Sequence, residues 1–450
     1  MLNAAVDTDL FAALREREFG RLDRQGLAYL DYTGSALYAD SQIRTHAALL
    51  RERVFGNPHS DNRPSTESAK VIDAARHAVL RFFNADFATH DVCFTANATA
   101  AIKLVGESYP FAPDTPLVLS TDNHNSVNGV REFARRAGAP VRYLPLDGAL
   151  RLRDAETGLE EEARGGGGLL AYPAQSNFSG VRHPLVLVER AKALGFDVLL
   201  DVAAFAPTQP LSLRECSADF VALSFYKLFG YPTGVGALIA RREALARLRR
   251  PWFAGGTLLY ASVQADMHHL RSGHEAFEDG TPSFLDIAAL EAGFAILKEA
   301  GMERLSAHIT ALTEIFLSEM ATLRHGNGAS LVEIYGATDT HDRGGTVAFN
   351  VLDANGRRLP YAVVESAAAR AGIALRGGCF CNPGAAEAAL RLEAARTARC
   401  LQSLGDDFTI DRFGECHGQP VGAVRTSFGL ATNQTDIHRA VALLATMRER

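Results

Sequence analysis

The stretch ADFVALSFYKLFGYPTGVGAL, residues 218–238, sets a lone lysine, Lys227, inside a run of apolar and aromatic side chains. A lysine in such company either snorkels its ammonium back to water or is used as an amine whose charge the surroundings suppress. Two short apolar runs flank it, DFVALSF before and GVGALIA after, and both read as strands. Upstream the same texture recurs in DVCFTA, PLVLST, VRYLPL, GLLAYPA and DVLLDVA, with helical patterns between them. Strands alternating with helices predict an α/β fold whose mostly parallel sheet is covered on both faces.

In open sheets of this kind ligands sit beyond the carboxyl ends of the strands. Asp201 closes DVLLDVA and Lys227 follows DFVALSF, so an acid and an amine share one sheet edge. Taken alone, Asp201 suits a turn or cap equally well. In CFTANATAAIKL, residues 93–104, a strand runs into a small-residue turn holding Thr95, Asn97 and Thr99, and then into a helix. Amides and hydroxyls converging on a positive helix terminus make a phosphate cradle, although Thr and Asn also simply cap helices. His124, in STDNHNSVNG after the strand PLVLST, is placed either to stack on a flat ring or to sit in a surface loop. An acid, a lysine, a phosphate cradle and a ring stacker on one edge together suit pyridoxal 5'-phosphate. Desolvation by aromatic neighbours then gives Lys227 its purpose, because it lowers the pKa and frees the amine to condense with an aldehyde.

A second informative stretch is LRGGCFCNPG, residues 375–384. Its glycines and Asn-Pro-Gly predict a mobile loop carrying a nucleophilic thiol, with Arg376 favouring the thiolate. No partner pair with zinc spacing follows, since Cys400 and Cys416 stand isolated, and no metal is expected. Either Cys379 or Cys381 fits the thiol's place. Arg425, in GAVRTSFGL, is the natural fork for a substrate carboxylate or else an ordinary ion-pair residue.

The 450 residues are 47% hydrophobic and 22% charged, which suits an enzyme of two domains. The larger is expected at 25–295. The change of texture toward long helices around GGTVAFNVLD and AVRTSFGL places a smaller α+β domain at 296–450, joined by 1–24 as an amphipathic helix. Arg164 and the four glycines after it read as a flexible loop. A net charge of -6 with no basic tract argues against nucleic acid as a partner. No apolar stretch nears the length of a membrane span and the start lacks a signal-peptide pattern, so a cytoplasmic protein is expected. Six cysteines are too few for a disulfide scaffold, and reduced thiols are expected.

Five motifs in order, YLDYTGSALY, FGNPHS, ADFVALSFYKLFGYPTGVGAL, RGGCFCNPGA and GQPVGAVRTSFG, carry a resemblance that spans about residues 29–440. The chain resembles the class V, fold-type I pyridoxal-phosphate enzymes of the cysteine desulfurase group, most closely the N-terminal desulfurase domain of molybdenum cofactor sulfurases. The resemblance implies a large domain with a mostly parallel sheet plus a smaller α+β domain. It implies that Lys227 holds the cofactor, Asp201 pairs with its pyridine nitrogen and His124 stacks on its ring. Asn177 would touch the phenolic oxygen or the substrate. Thr99, the amide of Ala98, Ser224 and Tyr226 would hold the phosphate, and Thr281 would reach the phosphate of a neighbouring subunit in a homodimer. Arg425, joined by Arg376, would bind the substrate carboxylate, and Cys381 would carry a persulfide. Tyr226 stands where many desulfurases have histidine, and Ala204 where many have a polar residue. The implied activity takes sulfur from L-cysteine or a related amino acid, leaves alanine, and passes the sulfur to an acceptor protein or small molecule. A C–S β-lyase releasing pyruvate and ammonia without a persulfide is the rival, and a non-catalytic protein that kept the fold is a third reading.

Overall fold

The computed structural model describes residues 8–163 and 166–448. The expectations for residues 1–7, and for Arg164 and Gly165 in the glycine run, lie outside the described residues. After a short strand β1 (Ala28–Tyr29), all seven apolar runs form strands: β2 (His90–Thr95), β3 (Leu117–Ser120), β4 (Val141–Leu144), β5 (Leu169–Pro173), β6 (Asp197–Asp201), β7 (Phe220–Ser224) and β8 (Gly236–Arg241). They make one sheet in the order β2-β8-β7-β6-β5-β3-β4, parallel except for β8, which runs antiparallel between β2 and β7.

The reason these strands read as continuous apolar runs is that successive side chains enter different cores. Val198 and Leu200 of β6 and Val221 and Leu223 of β7 belong to one cluster, whereas Leu199, Phe220 and Ala222 belong to another on the opposite face. A strand buried on both sides has no polar face to show in its sequence. Each fully buried valine or leucine contributes about 1.5–3 kcal/mol, so the register of the central strands is strongly fixed.

Further along lies a hairpin of β9 (Leu258–Ser262) and β10 (Met267–Leu270). Beyond it β11 (Val332–Tyr335), β12 (Thr346–Val351), β14 (Arg376–Gly378) and β15 (Ala423–Ser427) form an antiparallel sheet in the order β11-β12-β15-β14. The chain start is tied to this sheet. β1 pairs in parallel with β13 (Ile373–Ala374), and Asp31 makes a parallel bridge to Ser427. The helix Thr8–Phe19 packs nearby, with Phe11 stacked on His308 at 4.1 Å and Arg15 paired with Asp436 at 2.6 Å. Among the described residues no helix is long and apolar enough to cross a membrane.

Two expectations are corrected. Cys400 and Cys416 are not isolated reduced thiols: they form a disulfide with Cα atoms 5.9 Å apart, linking the helices Ala394–Leu404 and Ile410–His417. The two helices fold back on each other, which sequence spacing does not reveal. The Cys-Phe-Cys segment is also hydrogen-bonded rather than an open loop. It is a tight turn between β14 and the helix Pro383–Leu390, held by the bonds described next.

Candidate active site

The sheet register sets the site. Pro173, Asp201 and Ala222 are partners across β5, β6 and β7, while Thr95 and Ser224 both pair with Gly236 on β8. The carboxyl ends of four strands and the amino end of β8 therefore stand level with the turn that begins the helix Ala98–Ser108. Gly236 permits this, because a Cβ there would meet Asn97 Cα at 2.5 Å. Along this edge runs a cavity of about 140 Å3 lined by Ala98, Thr99, His124, Asn177, Asp201, Ser224, Tyr226 and Lys227. The structure thus brings together eight of the residues singled out from sequence.

Lys227 is the third residue of the helix Phe225–Phe229 and lines the cavity. Burial pushes its pKa down, the Asp201 charge opposes this, and the guanidinium groups of Arg425 and Arg376 add to the lowering. Asp201 is buried and accepts the Ala203 amide at 2.9 Å. His124 Nδ1 accepts the Ser126 amide at 3.1 Å, which leaves the proton on Nε2, and burial keeps the imidazole pKa below its usual value. The Ala98 amide donates to Ser224 Oγ at 2.8 Å, and Thr99 Oγ1 lies 2.7 Å from Ser126 Oγ. Hydroxyls, an amide and a helix terminus therefore meet at one end of the cavity, and the acid and amine line it as well.

Arg425 is buried beside this cavity. Its Nη1 donates to the Asn177 carbonyl at 2.8 Å and its guanidinium lies 4.7 Å from the centre of the Phe380 ring. Burial lowers its pKa to about 10 despite the pull of Asp31. Cys381 lies outside the cavity of Lys227. It is exposed, in an adjoining hollow of about 620 Å3 shared with Asp31, Arg376 and Cys379. Its charge nevertheless reaches Lys227 and Arg425. Phe380 and Cys381 both hold left-handed backbone, at φ +56° and +55°, which non-glycine residues adopt at a cost. Three bonds hold the turn there. Asn125 N–H donates to the Cys381 carbonyl at 2.6 Å, Asn177 Nδ2 to the Phe380 carbonyl at 2.7 Å, and the Asn382 amide to the Cys379 carbonyl at 3.0 Å. Thr281 is placed apart, in a separate cavity of about 370 Å3 with Thr95 and Gly234.

Sequence reading assigned no role to Asp31, Ser126 or Asn382, which the structure places among these groups. Asp31 binds both arginines. Asn382 Nδ2 donates to the buried Asp122 at 2.6 Å and to Asn177 Oδ1 at 3.0 Å. Asp31 lay in plain view inside YLDYTGSALY, but its partners are 345 and 394 residues away.

A lysine with a lowered pKa, an acid at a strand end, a neutral imidazole and a phosphate cradle on one edge of this sheet define a pyridoxal 5'-phosphate enzyme of fold type I. The group fits the residues present: each of its charged parts meets a side chain of suitable chemistry within one cavity. The chain belongs to the aminotransferase class-V family, whose model matches residues 28–440. It is 37% identical to a molybdenum cofactor sulfurase of Arabidopsis thaliana over 95% of this chain and 57% of that protein. To the one from Bos taurus it is 38% identical over 94% of this chain and 50% of that protein. The chain thus spans little more than half the length of these curated relatives. Among solved structures it superposes on a cysteine desulfurase from Thermococcus onnurineus NA1 with a TM-score of 0.78 at 22% identity, covering 99% of both chains. On the cysteine desulfurase CsdA from Escherichia coli the TM-score is 0.76 at 22% identity, covering 98% of both.

Proposed function

We propose that this protein is a cysteine desulfurase, which takes sulfur from L-cysteine or a related amino acid, releases alanine and holds the sulfur as a persulfide on Cys381. The observation that carries this reading is the exposed Cys381 thiol, fixed by the backbone bonds of its turn beside the cavity of Lys227. In balance, L-cysteine and the Cys381 thiol give L-alanine and the Cys381 persulfide: a C–S bond breaks, an S–S bond forms and a proton goes to the substrate carbon.

Pyridoxal phosphate, when bound, supplies the electron sink that lets the α-proton leave. The chain's own groups do the rest. Lys227, whose pKa burial lowers, holds the cofactor and moves the α-proton. Asp201 would answer the ring nitrogen, His124 would stack on the ring, and Ser224, Thr99, Tyr226 and the Ala98 amide would take the phosphate. Arg425 receives the substrate carboxylate, and its Nη1 bond to the Asn177 carbonyl sets it beside the cavity. Cys381 is the nucleophile toward sulfur. In this reading the enzyme is a cytoplasmic homodimer. The position of Thr281 outside its own chain's cavity supports its reaching a partner's phosphate. The relatives' name supports sulfur transfer to an acceptor as the purpose.

The test is product analysis of the holoenzyme with L-cysteine, for the natural chain and for Cys381→Ser. Alanine from the natural chain, with sulfur transfer lost in the variant, is expected. Pyruvate and ammonia in both would make the protein a C–S β-lyase.

A further inference from the structure

Arg376 and Arg425 are direct partners across β14 and β15, and like charges opposite each other on a sheet repel. One carboxylate answers both. Arg376 donates from Nη2 to Asp31 Oδ2 at 2.6 Å and from Nε to the same oxygen at 3.0 Å, while Arg425 Nη2 donates to Asp31 Oδ1 at 3.1 Å. Asp31 is carried there by its bridge to Ser427, two residues from Arg425. The other nearby acid, Glu365, accepts the Gly377 amide at 3.1 Å. Asp31 is thus the carboxylate bound to both guanidinium groups.

Two of the cluster's three members are shielded from water. The Arg425 side chain is 3% exposed and that of Asp31 13% exposed, so water screens the charges incompletely. It also spans two compartments. Arg425 reaches the Asn177 carbonyl at the cavity of Lys227, whereas Arg376 and Asp31 line the hollow that holds Cys381. A substrate whose α-carboxylate meets Arg425 directs its side-chain end toward Cys381, and so toward Arg376 and Asp31.

We infer that Asp31 is a specificity-determining residue: by holding Arg376 and cancelling one of two positive charges, it fits the site to an amino acid with one carboxylate. Amino acids that carry a second anionic group at the side-chain end meet the Asp31 carboxylate instead of a free guanidinium, and repulsion discriminates against them. This rests on Arg425 as the carboxylate fork, a part of the proposed function, and not on desulfuration itself.

The probes are L-alanine, with one carboxylate, and L-aspartate, with a second where cysteine has its thiol. Their binding to the holoenzyme is measured by titration calorimetry, with the cofactor absorbance as a second readout. Asp31→Asn should tighten L-aspartate relative to L-alanine by about tenfold, or about 1.4 kcal/mol. Asp31→Glu should keep the natural ratio. The double variant Asp31→Asn with Arg376→Gln, which removes one charge of each sign, should return the ratio to near its natural value. Arg376→Gln alone should weaken L-aspartate more than L-alanine. Equal changes for both probes in Asp31→Asn, or a double variant that does not restore the ratio, would overturn the inference. Should Asp31→Asn fail to fold, Arg376→Gln decides, because that side chain is half exposed: no selective loss of L-aspartate overturns it. Failure of the natural enzyme to bind either probe also overturns it, by removing Arg425 as the fork. Since binding is read without turnover, a lyase product pattern would leave this result standing.

Discussion

Asn382 ties the cysteine turn to the large sheet through its side chain, and its removal has a calculable local effect. Its Nδ2 donates to Asp122 at 2.6 Å, and its Oδ1 caps the following helix by accepting the Ala385 amide at 3.2 Å. Asn382→Ala loses a hydrogen bond to a charged group, worth about 2 kcal/mol, and an N-cap worth about 1 kcal/mol. Asp122 is not orphaned, because Ser176 Oγ and His183 Nε2 each remain at 2.9 Å. The loss of about 3 kcal/mol therefore falls on the turn, whose left-handed Phe380 and Cys381 are then underdetermined. At about 1.4 kcal/mol per tenfold, local opening becomes roughly a hundred times more frequent. Hydrogen exchange of the Asn125 amide, which donates to the Cys381 carbonyl, reads this directly. The amide of Val221 in the core of the sheet serves as the reference. Asn382→Asp keeps the capping oxygen but sets a second carboxylate against Asp122, so at neutral pH it should expose the turn more than alanine does. Its protection should return as the pH falls, when the new carboxyl can donate. Acceleration of less than about threefold at Asn125, or equal acceleration at Val221, would refute the reasoning.

Three further outcomes follow from the same geometry. A brief iodoacetamide pulse at neutral pH should label Cys381 first, because burial pushes the Cys379 and Cys216 thiols up to about 11 and that of Cys93 well above its ordinary value; peptide mass spectrometry showing Cys379 ahead would contradict this. Since burial holds His124 below its ordinary 6.5 in the folded chain, the unfolded chain binds a proton first as pH falls, and stability drops from about pH 6.5 down to the folded-state value. His124→Gln should flatten the pH dependence of urea unfolding in that window, and an unchanged slope would count against it. Digestion without reductant should give one linked peptide containing Cys400 and Cys416, where separate peptides would remove the disulfide.

The parts of this fold that were legible in sequence are those governed by local pattern. The central strands announced themselves because burial on both faces leaves mostly apolar residues, and Lys227 stood out as the exception in such a run. Asp201 was legible because it ends a strand, and Thr99 because it opens the helix just after one; such ends share one edge in a parallel sheet. What stayed hidden depends on contacts between distant segments. Asp31 became meaningful only when the bridge to Ser427 set it against Arg376 and Arg425. The hydrogen bonding of the Cys-Phe-Cys turn was hidden for the same reason. Its glycines and Asn-Pro-Gly do favour turns, but its order comes from Asn125, Asn177 and Asp122, all on the other sheet's loops. Gly384 belongs to this set as well. A Cβ there would collide with the Thr121 carbonyl, so it is the absence of a side chain that seats the helix after Cys381 against the large sheet. The Cys400–Cys416 pairing was hidden because it depends on how two helices pack.

The central claim is that Cys381 takes sulfur from the substrate. It is tested most directly by exposing the holoenzyme briefly to L-cysteine and recording the mass of the Cys381 peptide together with the amino acids released. The account predicts a peptide heavier by one sulfur atom, with alanine formed in step. An unmodified peptide beside pyruvate and ammonia would contradict it.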